Sequence, residues 1–214
     1  MSKTRGLCVL DVDGTLIEEE VIDLLGKEAD CEKEVAQLTI QAMRGELDFE
    51  ESLRKRVSLL EGLSLDVFEQ LYSQIHLSKN AKQFIKFLQE HEIEVGLVSG
   101  GFIPIVERLA TELGIRLIAA NRLEVKDGFL TGKLEGEIIT REIKEETLIR
   151  WTEELDLPIE RTVAIGDGAN DLLMLKSAGL GIAFCAKEVL KKDIPNHVDK
   201  RDFLEVLPLI DFLE

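Results

Sequence analysis

Leu7-Cys8-Val9-Leu10-Asp11-Val12-Asp13-Gly14-Thr15 sets four consecutive apolar residues directly before two carboxylates one residue apart. The apolar run has the length and composition of a strand buried on both faces of a parallel sheet, and Gly14 lets the backbone turn sharply where the carboxylates emerge. Polar groups at the C-terminal end of such a strand are where open α/β sheets bind ligands. Residues i and i+2 of an extended backbone face the same side, so Asp11 and Asp13 can address one reacting centre. One carboxylate kept ionised by a cation can act as nucleophile while the other carries a proton, which suits phosphoryl transfer through an aspartyl-phosphate. Taken alone, the pair reads equally well as an Asp-Gly turn with solvated carboxylates. A calcium-binding EF-hand loop also begins Asp-x-Asp, but Thr15 and Leu16 stand at its fifth and sixth positions and a strand precedes it, so that geometry fails.

Two further strands end in polar turns. Val95-Gly96-Leu97-Val98 runs into Ser99-Gly100-Gly101, which is expected to open a helix and to offer a hydroxyl and sparsely covered N–H groups to phosphate oxygens. A purely conformational role for these glycines fits the same residues. Val163-Ala164-Ile165 runs into Gly166-Asp167-Gly168-Ala169-Asn170-Asp171. A dinucleotide fingerprint needs a third glycine where Asp171 stands, and its pyrophosphate would meet two carboxylates. Facing acidic turns make sense around a hard cation with oxygen ligands, and Asn170 or Asp171 can cap a helix at the same time. In a parallel sheet all three strand ends open onto one crevice.

Between the first and second strands, from Ile17 to about His76, the sequence is helical in period and strongly charged. Val21, Ile22, Leu24 and Leu25 are followed by Val35, Leu38 and Ile40, then by Leu53, Val57 and Leu60. Gly26, Gly45 and Gly62 fall at plausible helix ends, and Ser64 is expected to cap a helix through Asp66, Val67, Phe68 and Leu71. Beyond this stretch helices alternate with strands. Phe84, Ile85, Phe87 and Leu88 share a helix, Ile105 to Leu113 forms one closed by Gly114, and Leu117–Ala119 is a strand. Asp127-Gly128 between Leu123–Val125 and Phe129-Leu130 is a hairpin turn, and Leu148, Trp151 and Leu155 line one helical face. The expected architecture is an α/β, Rossmann-like parallel-sheet core over residues 1–15 and 77–214, with helices on both faces and a hairpin at about 121–134. A small helical cap over 16–76 is inserted after the first strand.

The chain has 214 residues, 45% of them hydrophobic, enough to bury a real core. Its formal net charge of −16 repels a phosphate backbone, so nucleic acid is not an expected partner. An anionic substrate then needs a local inversion of charge, which a divalent cation with a few placed lysines or arginines supplies. Cys8, Cys31 and Cys185 lack metal-ligand spacing and are odd in number, which fits reduced thiols in a cytosol. The apolar run before Asp11 is too short for a signal-peptide core and no run reaches membrane-spanning length. A soluble cytoplasmic protein, monomer or homodimer, is expected.

Asp-x-Asp-x-Thr, Ser-Gly-Gly, a lysine and Gly-Asp-Gly-x-Asn-Asp, in that order, resemble the haloacid dehalogenase superfamily. The nearest likeness is to its phosphoserine-hydrolysing branch. The resemblance runs from Leu7 to about Leu204 and takes in Ala120-Asn121-Arg122-Leu123 and Ile182-Ala183-Phe184-Cys185-Ala186-Lys187. It implies a small-molecule substrate, phosphoserine, hydrolysed to serine and phosphate, with Asp11 as nucleophile and Asp13 as acid/base. It also implies Mg2+ held by Asp11, Asp13 and Asp167, with Asp171 in support, and Ser99, Gly100, Lys144 and Asn170 binding the substrate. Lys144 enters on resemblance alone; among Glu142, Glu145 and Glu146 it reads as a solvated lysine. The insert would read the amino acid, Glu20 pairing the ammonium and Arg56 the carboxylate, with Met43 and Phe49 as an apolar lid. On residues alone, Glu20 and Arg56 are exposed helix charges and Met43 and Phe49 packing residues. A related phosphatase or phosphotransferase on another small phosphate, such as phosphohomoserine, is the alternative. Gly14 and Val12 depart from the residues frequent at those positions.

Overall fold

The computed structural model describes residues 4–43, 46–186 and 188–211, with the Met43 side chain excepted. The lid role expected of Met43 and the helix end expected at Gly45 lie outside the described residues, as does Lys187. In chain order the elements are β1 (Gly6–Leu10), α1 (Val21–Glu28), α2 (Glu32–Met43), α3 (Phe49–Ser58), α4 (Val67–Tyr72) and α5 (Ala81–Glu90). They continue with β2 (Ile93–Phe102), α6 (Ile103–Leu113), β3 (Leu117–Lys126), β4 (Phe129–Glu135), α7 (Arg141–Glu154) and β5 (Thr162–Gly166). The last are α8 (Leu172–Ser177), β6 (Leu180–Phe184), α9 (Glu188–Lys191) and β7 (His197–Val198). The strands form one sheet in the order β4-β3-β2-β1-β5-β6-β7, parallel throughout except for the antiparallel β3–β4 pair.

Two-faced burial explains the apolar run that begins the chain. Cys8 and Leu10 of β1 join one apolar cluster with Phe84, Ile85 and Leu88 of α5 and Val106 and Leu109 of α6. Leu7 and Val9 point the other way, into a cluster with Leu148 and Trp151 of α7 and Met174 and Leu175 of α8. A strand covered on both faces cannot alternate apolar with polar residues. Gly96 on β2 makes room for this second layer. A Cβ there would stand 2.5 Å from Trp151 Cζ3 and 3.4 Å from Leu117 Cβ. Gly96→Ala is therefore expected to lower stability by about 1 to 3 kcal/mol through overpacking, read as a lower urea midpoint at unchanged slope.

β1 lies between β2 and β5, so helices leave it in opposite directions and the strand ends part at this point of the sheet, where α/β folds open a crevice. Asp11, Ser99-Gly100-Gly101 and Asp167 all stand at this edge. Among the described residues from 16 to 76 the regular elements are helices, as expected, and their apolar residues join the α5–α6 cluster.

Several local expectations need correction. β2 continues through Ser99, Gly100 and Gly101 to Phe102, with an irregularity in its pairing to β3, and α6 starts only at Ile103. Apolar Phe102, 1% exposed, keeps the strand going past its glycines. Leu117–Ala119 and Leu123–Val125 are parts of one ten-residue strand, β3. Gly26 lies inside α1, where its bare Cα lets Val35 of α2 approach. Ile40 is 47% exposed rather than packed. Ser64 does not cap α4 directly; its hydroxyl accepts from the Asp66 N–H, one residue ahead of the helix. The Asp127-Gly128 turn is as expected, both residues having positive φ (52° and 84°), the conformation that matches strand twist in two-residue hairpins.

Candidate active site

Asp11 follows β1 directly and is 3% exposed. The chain then turns through Asp13 and Gly14, the latter at φ 73°, where a Cβ would stand 3.0 Å from Asp167 Oδ2. The glycine thus fits both the turn and the approach of the second acidic loop. Lys144, on the second turn of α7, is fully buried and donates to Asp11 Oδ1 at 2.5 Å and to Asp171 Oδ1 at 2.7 Å. The alternative reading of Lys144 on residues alone, as a solvated lysine, is excluded. Asp171 is also fully buried, and its Oδ2 accepts from the N–H groups of Asp167 and Gly168 at 3.1 and 3.0 Å. Asp171 therefore closes the turn back on itself; neither it nor Asn170, half-buried in the Ala169–Asp171 turn, makes a side-chain cap to α8.

Carboxylate oxygens of Asp11, Asp167 and Asp171 lie within 4.8 Å of one another. One buried ammonium faces three carboxylates, and uncompensated buried charge is costly. An oxygen-only donor set with surplus negative charge fits a hard divalent cation. Both oxygens of Asp171 already have partners in Lys144 and the turn amides, which favours Asp11 and Asp167 as direct ligands with Asp171 behind them. Thr15, fully buried, donates to Asp167 Oδ1 at 3.4 Å.

Asp13 differs from its neighbour. Its Oδ2 accepts from the Val21 N–H at the start of α1 at 3.0 Å, whereas its Oδ1 is shielded from solvent and has no hydrogen-bond partner among the described residues. A buried carboxylate oxygen left without a partner points to a group that the bound state supplies. Burial pushes the Asp13 carboxyl up to about 6, with the Val21 N–H and Lys144 pulling it back and Asp167 and Asp23 adding to the rise. Burial, then Asp171, raises Asp11 as well, against the downward pull of Lys144.

On the β2 side, the buried Ser99 Oγ accepts from the Gly101 N–H at 2.8 Å. A Cβ at Gly101 would stand 2.9 Å from Asp13 Oδ1, so this glycine makes space for the acid/base candidate. A Cβ at Gly100 would lie 3.5 Å from Phe49 Cζ, which puts the first residue of α3 over the Ser-Gly-Gly segment. Farther along α3, Arg56 Nε donates to the Ser52 carbonyl at 3.3 Å. Burial holds its guanidinium below the ordinary value while the Glu20 and Asp23 carboxylates act against that shift. Glu20 is exposed at the head of α1.

Several contributors were not singled out from the sequence. Asp23, in the first turn of α1, acts on the Arg56 guanidinium together with Glu20, the extended residue that precedes the helix. Asn121, 1% exposed, donates to the Gly100 carbonyl at 2.8 Å and accepts from the Ile139 N–H at 2.9 Å, joining the β2 end to the approach of α7. Arg201 donates to the Gly14 carbonyl at 2.9 Å and to Ser78 Oγ at 3.1 Å, and Ser78 donates to the Thr15 carbonyl at 2.7 Å. These two residues clamp the acidic turn from outside.

A family model described as haloacid dehalogenase-like hydrolase matches residues 8–176. The phosphoserine phosphatase of Streptococcus thermophilus is 51% identical over 211 residues, covering 99% of this chain and 98% of its own. Two solved structures align over 98% of this chain and all of theirs. One, a phospho-aspartyl intermediate analogue of phosphoserine phosphatase, has a TM-score of 0.91 at 44% identity. The other, a substrate-bound phosphoserine phosphatase complex, has a TM-score of 0.92 at 43% identity.

Proposed function

The chain belongs to the phosphoserine phosphatase family of haloacid dehalogenase-like hydrolases, and from that membership we propose that it hydrolyses O-phosphoserine to serine and phosphate, with Mg2+, through an aspartyl-phosphate. The observation that carries this reading is Lys144, buried and paired to both Asp11 and Asp171 at the strand-end crevice beneath α3.

Asp11 attacks phosphorus and the bond from phosphorus to the seryl oxygen breaks. Asp13 gives its proton to that oxygen, then takes one from the water that attacks the aspartyl-phosphate and releases phosphate. Ser99, the Gly100 backbone and Lys144 hold the phosphoryl oxygens, since positioning and charge stabilisation carry most of the acceleration in such transfers. Asn170 contacts the substrate or the attacking water. Mg2+, with the Asp11 and Asp167 side chains and the Asp13 carbonyl as ligands, would offset charge on the transferring group. Residues 16–76 act as a cap on a core of 1–15 and 77–214. Within the cap, Glu20 pairs the substrate ammonium, Arg56 forks onto the carboxylate, and Phe49 with Met43 keeps water out. Among the described residues no helix is long and apolar enough to cross a membrane.

The test is phosphate release from a panel of phosphorylated amino acids and sugars, with and without Mg2+. Phosphoserine is expected to lead, and metal-independent release or a preferred sugar phosphate would refute the reading. Arg56→Ala is expected to cost about 1.5 to 3 kcal/mol, roughly one to two powers of ten in kcat/KM for phosphoserine. It should cost little on p-nitrophenyl phosphate, which has no carboxylate. Equal losses on both would remove Arg56 from recognition.

A further inference from the structure

Helix α3 carries Phe49 at its first turn and Arg56 at its last, so whatever seats α3 sets where the cap meets the substrate. The seat is the β3–β4 hairpin of the sheet. Just beyond α3 the chain runs antiparallel to β4. Gly62 N–H donates to the Leu130 carbonyl at 2.9 Å, Leu130 N–H to the Leu63 carbonyl at 2.8 Å, and Leu65 N–H to the Gly128 carbonyl at 2.9 Å. Beside this seam a Cβ on Gly132 would stand 3.1 Å from the Ser58 main-chain oxygen, 3.3 Å from Ser58 Cα and 3.1 Å from Glu61 Cβ. Two of these atoms are main chain and cannot rotate aside; the end of α3 would have to move. Arg56 would move with it, since its Nε is tied to the Ser52 carbonyl of the same helix.

We propose that Gly132 is a specificity-determining positioning residue: its missing side chain lets α3 settle on β4 at the depth that puts Arg56 over the substrate carboxylate. This rests on the role given to Arg56 above. Gly136 provides the control. It shares the left-handed backbone, φ 77° against 75° at Gly132, but a Cβ there meets nothing within 4 Å among the described residues. Alanine at either position carries the conformational strain, and only at Gly132 does it press on the cap.

The experiment is steady-state kinetics of wild type, Gly132→Ala, Gly136→Ala, Arg56→Ala and the Arg56→Ala/Gly132→Ala double variant on phosphoserine and p-nitrophenyl phosphate. Gly132→Ala is expected to raise KM for phosphoserine about 5- to 10-fold with kcat within about twofold, and to leave p-nitrophenyl phosphate nearly unchanged. Gly136→Ala should leave both substrates unaffected. In the Arg56→Ala background the Gly132 change should add no further phosphoserine-specific loss, because the contact through which it acts is gone. Should Gly132→Ala fold too poorly to assay, Glu61→Val presses the same contact from an exposed cap residue and should give the same KM-selective loss. Equal losses on both substrates, identity with Gly136→Ala, or additivity with Arg56→Ala would overturn the proposal. An Arg56→Ala variant that does not discriminate the substrates would fell the reading of Arg56 and this inference together, whereas a selective Arg56→Ala beside an unselective Gly132→Ala fells this inference alone.

Discussion

Asp11→Asn is expected to fold normally and to turn over phosphoserine on the order of 10^5- to 10^6-fold more slowly, the scale seen when a nucleophile is removed from a catalytic unit. The amide has the volume of the carboxylate it replaces at a 3% exposed position, and Lys144 keeps Asp171 as its partner, so packing gives no reason for collapse. What disappears is an oxygen able to bond phosphorus. One carboxylate is also lost from the cluster with Asp167 and Asp171, so Mg2+ binding should weaken as well. Titrating the variant with Mg2+ to saturation separates the two effects, because added metal restores occupancy but not the nucleophile. A beryllium fluoride adduct on the wild-type Asp11 side chain, absent from the variant, is the structural counterpart. Activity within tenfold of wild type at saturating metal would refute the aspartyl-phosphate.

The three strand ends that build this site were legible because β1, β2 and β5 are covered on both faces and announce themselves as short apolar runs, with the polar turn beginning where the run stops. The same rule misled at Ser99-Gly100-Gly101. Glycines after a strand read as the opening of a helix, yet Phe102 carries the strand on, and Gly101 serves instead to let Asp13 approach. Lys144 looked like a surface residue because its neighbours are glutamates. Its spacing held the answer, since 144, 148, 151 and 155 fall at i, i+4, i+7 and i+11, which puts the lysine on the face buried through Leu148 and Trp151.

Other parts leave no trace in a local pattern. Arg201 reaches the Gly14 carbonyl from 187 positions away, and neither end of that bond has a composition that suggests the other. The seam between residues 62–65 and β4 consists of main-chain bonds, which any residue other than proline can make. Gly132 could be read as one more hairpin glycine, because its neighbour across the seam is known only once α3 has been placed. What the sequence conceals is therefore mostly support. The groups assigned to the chemistry stand in short motifs, while those that hold them come from remote segments through contacts with no side-chain signature.

Asp13→Asn is expected to slow phosphoserine turnover by ~10^2- to 10^4-fold, the usual worth of a positioned acid/base, and the pattern of the loss identifies the role better than its size. The asparagine oxygen can still accept from the Val21 N–H, so the link to α1 survives. A seryl alkoxide leaves poorly without a proton, whereas nitrophenolate leaves readily. Single-turnover formation of the phosphoenzyme should therefore suffer far less with p-nitrophenyl phosphate. Its hydrolysis still lacks a base, so the variant's phosphoenzyme should accumulate as a burst. The pH profile carries a sign as well. Burial raises the Asp13 carboxyl above the ordinary carboxylate range, and raising the pH through its titration removes the proton the leaving group needs. Single-turnover cleavage of phosphoserine by the wild type should fall on that alkaline limb, and the variant, with nothing to titrate there, should lose the limb. Equal losses on both substrates with the limb retained would make Asp13 a buttress for the start of α1 and assign proton transfer to another group.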